Sequence, residues 1–225
     1  MPPWDWWLKT DAGLLTRVAI GCSIFAALAA IDLARHGRSA TRWREYVFLL
    51  LGVALAMTYG AINDAIASRI SWEYFYYGKG LSDRLGPQIP PDATALRNAA
   101  IGIGLRATWS AGLIAGVALL IANNPRPGNS RLAYGTLSRL LLLILACAAL
   151  CAALGAVAGR AGALTGTDPD IAAMARENLF RPDRFLTVYG MNLGGYAGGI
   201  LATASAVTWI SRKRKRSRGG GPTHG

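Results

Sequence analysis

Five apolar runs, each close to the length that crosses a bilayer, dominate this chain. They cover about Gly13–Ile31, Tyr46–Ile62, Ala99–Ala122, Leu140–Gly159 and Phe185–Ile210. Some 20 residues of helix, at ~1.5 Å per residue, span the ~30 Å of hydrocarbon in a membrane. Charged residues make up only 16% of the 225 residues and fall in short blocks between these runs, where a soluble domain would carry about a quarter and spread them. The expected fold is therefore all-α: a polytopic membrane helix bundle of about five transmembrane helices. Residues 1–211 form a single bundle domain, and 212–225 a basic, disordered tail.

Basic residues set the orientation. Arg35, Arg38, Arg42, Arg44, Arg126, Arg131, Arg139 and the RKRKRSR tail from Arg212 all fall on one side, against only Asp32 and Glu45. Lysine and arginine resist translocation, so this side is expected in the cytoplasm, with the amino terminus outside. The net charge of +12 then reflects loop topology and contact of the tail with anionic lipid. Nucleic-acid binding is not expected, because no basic groove with interleaved aromatics is present. The first run is expected to be a retained span. Its leading segment, MPPWDWWLKTD, lacks the basic start of a signal peptide, and Trp4, Trp6 and Trp7 suit an interfacial anchor.

Two segments on the other side carry structure of their own. The stretch from Arg69 to Asn98 holds Trp72, Tyr74, Phe75, Tyr76 and Tyr77, read as an aromatic belt at the membrane surface. Between Arg160 and Arg184, Asp168–Pro169 starts a helix, and Ile171, Met174, Ala175 and Leu179 share one face. This predicts a short outer amphipathic helix. The cysteines, Cys22, Cys147 and Cys151, all sit in apolar runs and read as small buried hydrophobes. Cys147 and Cys151 share a helix face at a spacing that does not suit a disulfide. Gly112/Gly116 and Gly195/Gly199 have the small-xxx-small spacing of close helix contacts.

Ionisable residues inside a span cost ~3 kcal/mol at the bilayer centre and point to function. Counting residues from the outer span ends puts Asn63 and Asp64, Arg106, and Asn192 at one level, about 10 Å deep. Tyr196 lies one turn deeper than Asn192, and Arg17 is a shallower fourth candidate. The expectation is that Asp64 and Arg106 face each other in this polar layer. Glu73 adds a second carboxylate, and acid/base work with Asp64 requires that the two converge. No metal site or cofactor is expected: the only histidines, His36 and His224, lie away from the layer, and neither a P-loop nor a dinucleotide-type glycine loop is present.

Three stretches carry a resemblance: YGAINDAIASRISWEYFYYGKG (Tyr59–Gly80), GLRATWSAGLIAG (Gly104–Gly116) and MNLGGYAGG (Met191–Gly199). They resemble a family of uncharacterised bacterial integral membrane proteins with a span-end Asp, an EYF segment, an ATW segment and a YxGG-like run. The resemblance implies a bacterial inner-membrane location and no particular activity. It picks out Asp64, Glu73, Tyr74, Phe75, Trp109, Asn192 and Tyr196. Where that family is expected to carry histidines, this chain has Asn63, Lys79 and Gly190, which removes any metal reading. Three functional readings follow: a non-enzymatic accessory or structural membrane protein, with a second copy or another membrane protein as candidate partner; a small-solute or lipid transporter or binding protein using Asp64, Arg106 and Asn192; and a membrane-embedded enzyme using Asp64 and Glu73.

Overall fold

A computed structural model describes residues 10–124, 131–164 and 181–219. Among them there is no strand, and five helices are long and apolar enough to cross a membrane. In chain order the helices are α1 (Asp11–His36), α2 (Trp43–Ile70), the single turn α3 (Ser82–Leu85), α4 (Ala93–Asn123), α5 (Tyr134–Arg160) and α6 (Pro182–Gly219). The expected tryptophan anchor and the outer amphipathic helix fall outside the described residues.

Local chemistry sets the helix ends. The Thr10 hydroxyl accepts from the Gly13 amide at 3.0 Å to start α1, and Asp92 accepts from the Ala95 amide at 2.7 Å to start α4, each satisfying an otherwise orphaned donor. Pro182 opens α6, where its missing N–H costs nothing. α1 stops at Gly37, whose φ of +51° is open to glycine without strain. Across that turn the buried Asp32 carboxylate accepts from the amides of Arg42 (2.9 Å) and Trp43 (3.3 Å), so a residue of α1 caps the start of α2. α2 stays helical past Asp64 to Ile70, so Asp64 lies about 9 Å short of the helix end.

α6 departs from the expected boundary. The backbone remains helical to Gly219, where a disordered tail was expected from Arg212. Lysine and arginine are good helix formers, and their charge suits a helix C-terminus. Lys213 lies over the Trp209 ring at 4.7 Å. Arg214, only 7% exposed, donates to the Ala122 carbonyl at the end of α4.

The four later spans form two antiparallel hairpins, α2 with α4 and α5 with α6. Each hairpin closes along small residues repeating every four positions. On α2 these are Gly52, Ala56 and Gly60, and they meet Gly112, Thr108 and Gly104 of α4. A Cβ added at Gly60 would fall on the Gly104 carbonyl oxygen, and one at Gly112 on that of Gly52. On α5 the stripe is Cys147, Cys151, Gly155 and Gly159, facing Gly198, Gly194, Gly190 and Leu186 of α6; a Cβ at Gly155 would fall on the Gly190 carbonyl, and the reverse holds as well. Backbones in direct contact maximise dispersion where lipid offers no hydrophobic drive. Cys147 and Cys151 are half-buried and serve here as small residues, as expected, whereas Cys22 is exposed on α1. The pairs singled out from sequence fare differently. Gly112 belongs to a seam, but Gly195 and Gly199 do not.

The hairpins meet through two cores. One, at the aromatic end, joins Ala67, Tyr74, Phe75, Leu81, Leu96, Ala100, Phe185 and Val188. The other, at the basic end, joins Phe48, Leu119, Leu137, Leu141, Ile144 and Ile210. α1 stands apart and packs mainly on the start of α2, where Phe25 stacks on Tyr46 at 5.7 Å.

Candidate functional site

Between the two cores the hairpins part, and a half-open cleft of about 510 Å³ lies between them. Its wall comes from α2, α4, α5 and α6 and is almost wholly apolar. The polar side chains on it are Tyr59, Asn63, Asp64, Thr108, Asn192, Tyr196 and Thr203. Two of these are spent on their own helices: Thr108 donates to the Gly104 carbonyl at 2.8 Å and Thr203 to that of Gly199 at 2.7 Å. The remaining polarity gathers toward the aromatic end. There Asp64 is 6% exposed and accepts from the Asn63 side-chain amide at 3.1 Å. Asn192 donates back to the Val188 carbonyl at 3.1 Å. Tyr59, Asp64 and Tyr196 all line this same cleft.

Of the residues that the depth count selects, Asn63, Asp64, Asn192 and Tyr196 line the cleft. It leaves out Arg106, Trp109 and Arg17. Among the described residues no ion pair joins Asp64 to Arg106. The helical repeat explains the miss. Gly104, Thr108 and Gly112 turn one face of α4 to α2, and Arg106, two residues on from Gly104, lies roughly 200° around the helix. Trp109 is likewise absent from the cleft wall, and Arg17 bonds back to Gly13 on α1 at 3.3 Å.

Glu73 and Tyr74 belong to a different structure. Ser71, in extended backbone after α2, accepts from the Tyr74 amide at 3.2 Å, and Tyr74–Gly78 then forms one π-helical turn. The turn folds over the end of the bundle. Tyr74, Phe75 and Tyr76 are buried, with Tyr74 edge-on to Phe185 at 5.4 Å and Tyr76 donating to the Gly86 carbonyl at 2.6 Å. The expected surface belt is therefore mostly a plug, and only Trp72 and Tyr77 of the five remain partly exposed. Burial, then the charge of Asp64, push the Tyr74 phenol up from its usual range, and the Lys79 ammonium lies over its ring at 5.5 Å. Glu73 is 2% exposed, and its carboxylate accepts from the Arg181 amide at 3.2 Å. It lines a separate cavity of about 440 Å³ with Trp72, Pro90, Arg181 and Arg184. Asp64 and Glu73 thus face different spaces and form no acid/base pair.

Sequence reasoning passed over Tyr59. Its hydroxyl is buried with no hydrogen-bond partner among the described residues, and a Cβ added at Gly195 would lie 2.9 Å from it. Buried tyrosine hydroxyls nearly always find a partner. The available signal was its position four residues before Asn63, on the same helix face. Among the described residues no cluster of His, Cys, Asp and Glu is placed to hold a metal. No family model, curated protein or solved structure matches this chain.

Proposed function

We propose that this multi-pass membrane protein binds one small amphiphilic molecule in the cleft between its hairpins. The observation that carries the reading is the cleft itself: a largely apolar space of about 510 Å³ with its polar groups collected toward one end. Apolar walls with a few convergent polar groups are the ordinary form of a small-molecule site. A purely structural polar layer would instead be packed shut, with its hydroxyls satisfied. Binding is favoured over passage, because an apolar core lies toward each end and the cleft's polarity does not continue toward the basic end. The separation of Asp64 from Glu73 speaks against the enzyme reading. The charge bias and the family resemblance together support a bacterial inner-membrane location, with the basic end against anionic lipid in the cytoplasm and the amino terminus outside.

Native mass spectrometry of the protein released from detergent tests this. Wild type is expected to retain a small-molecule adduct. Gly199→Leu, which places a side chain in the cleft where a Cβ meets only Ala148 at 4.0 Å, is expected to lose it at unchanged thermal stability. Equal adduct on a stable leucine variant sinks the proposal.

A further inference from the structure

We infer that the occupant of the cleft is a single-chain membrane amphiphile that enters sideways from the leaflet at the aromatic end, with a hydroxyl- or amine-bearing head rather than a phosphate. The inference rests on the cleft being a binding site and adds the route and the head chemistry.

Volume suits a small occupant: a space of about 510 Å³ is the size of a site for one small molecule. Exposure gives the route. Ile114 and Ile200, on the cleft wall, are 67% and 70% exposed, so apolar side chains flank the opening on the lipid-facing surface. The plug of Tyr74, Phe75 and Phe185 lies toward the aromatic end, and Phe48, Leu119 and Ile210 toward the other. Depth gives the orientation. Asp64 is six residues from the end of α2 at Ile70, about 9 Å along the helix. The 28 residues of α2 extend about 6 Å beyond the hydrocarbon at each end if centred in it. The polar group then lies just below the membrane–water boundary, at the level of a lipid's head and first carbons. From Asp64 to Gly52 the wall runs about 18 Å further in, past mostly apolar side chains; the threonine hydroxyls there, Thr108 and Thr203, are turned back on their own helices.

The head chemistry follows from what lines the polar end. Asp64 offers carboxylate oxygens and Tyr59 a hydroxyl that bonds to none of the described residues, and none of the described residues lining the cleft is a lysine or arginine. Such a site accepts hydrogen bonds from hydroxyls or an amine. A phosphate brought against Asp64 meets like charge in a low dielectric.

The experiment presents purified full-length protein in detergent with hexadecylamine, monopalmitoylglycerol and hexadecyl phosphate, and with chainless ethanolamine and glycerol. Each is scored by displacement of the native adduct and by occupancy in native mass spectra. The amine or the glyceride is expected to bind at least about tenfold more tightly than the phosphate, and Asp64→Asn is expected to weaken the amine by about tenfold while sparing the glyceride. The chainless heads are expected not to compete. Phosphate binding as tight as that of both donors overturns the head assignment, and competition by chainless heads overturns the lateral route. If the chained probes bind neither wild type nor variant, and Gly199→Leu keeps the native adduct, the cleft reading itself fails.

Discussion

The seams inside each hairpin and the cleft between them are built from the same residue types with opposite results. At Gly60/Gly104 and Gly155/Gly190 backbone meets backbone, and a single added Cβ has nowhere to go. At Gly199 a Cβ meets one methyl group at ordinary contact distance. Small residues on a membrane helix therefore do not by themselves mark a packed interface. They permit close approach, and whether it happens depends on the stripe presented by the facing helix. Gly52, Ala56 and Gly60 meet a matching stripe on α4. Gly199 faces Ala148 and leaves space, while a Cβ at Gly195 would crowd the Tyr59 hydroxyl.

The largest expected effect comes from breaking a seam. Gly190→Leu should cost more than the ~1–3 kcal/mol typical of overpacking, since its Cβ alone falls on the Gly155 carbonyl. Loss of monodisperse protein on size exclusion would register this, and near-wild-type thermal unfolding would show the seam to be softer than its geometry. Next is the α1–α2 turn. Asp32→Ala removes the cap on α2 and should cost about 1 kcal/mol, seen as faster hydrogen exchange at the Arg42 and Trp43 amides with the hairpins unaffected. Smaller and opposite in sign is Gly199→Ala. With room for the methyl group, it should gain about 0.5–1 kcal/mol of helix stability. A fall in melting temperature would mean that the cleft closes at that point. Smallest is the double change Cys147→Ala, Cys151→Ala, expected within about 1 kcal/mol of wild type, because both cysteines act by size. A larger loss would assign the sulfurs a role of their own.

The spans were legible because the bilayer imposes length and polarity on them directly. Each of the five runs became a helix, and the depth count brought Asp64 and Asn192 to one place because rise per residue is nearly constant. Depth says nothing about rotation, and that is where Arg106 was misplaced. Its face follows only once Gly104, Thr108 and Gly112 are known to meet α2. The aromatic segment misled for a related reason. A run of Tyr and Phe at a span end fits a belt as well as a plug. What separates them is the Ser71 hydroxyl, which starts a π turn and folds the rings over the bundle, an interaction with no strong sequence signature. The tail boundary was set by charge, which marks where a span leaves the membrane and not where a helix stops.

The bond from Arg214 to the Ala122 carbonyl spans 92 positions of sequence. A ribosome makes the chain from the amino terminus, so α4 is complete long before the residue that finishes its carboxyl end exists. The first hairpin must wait in the bilayer with that carbonyl unserved until the last helix arrives. A chain that stops within α6 short of Arg214 would leave the end of α4 without that bond.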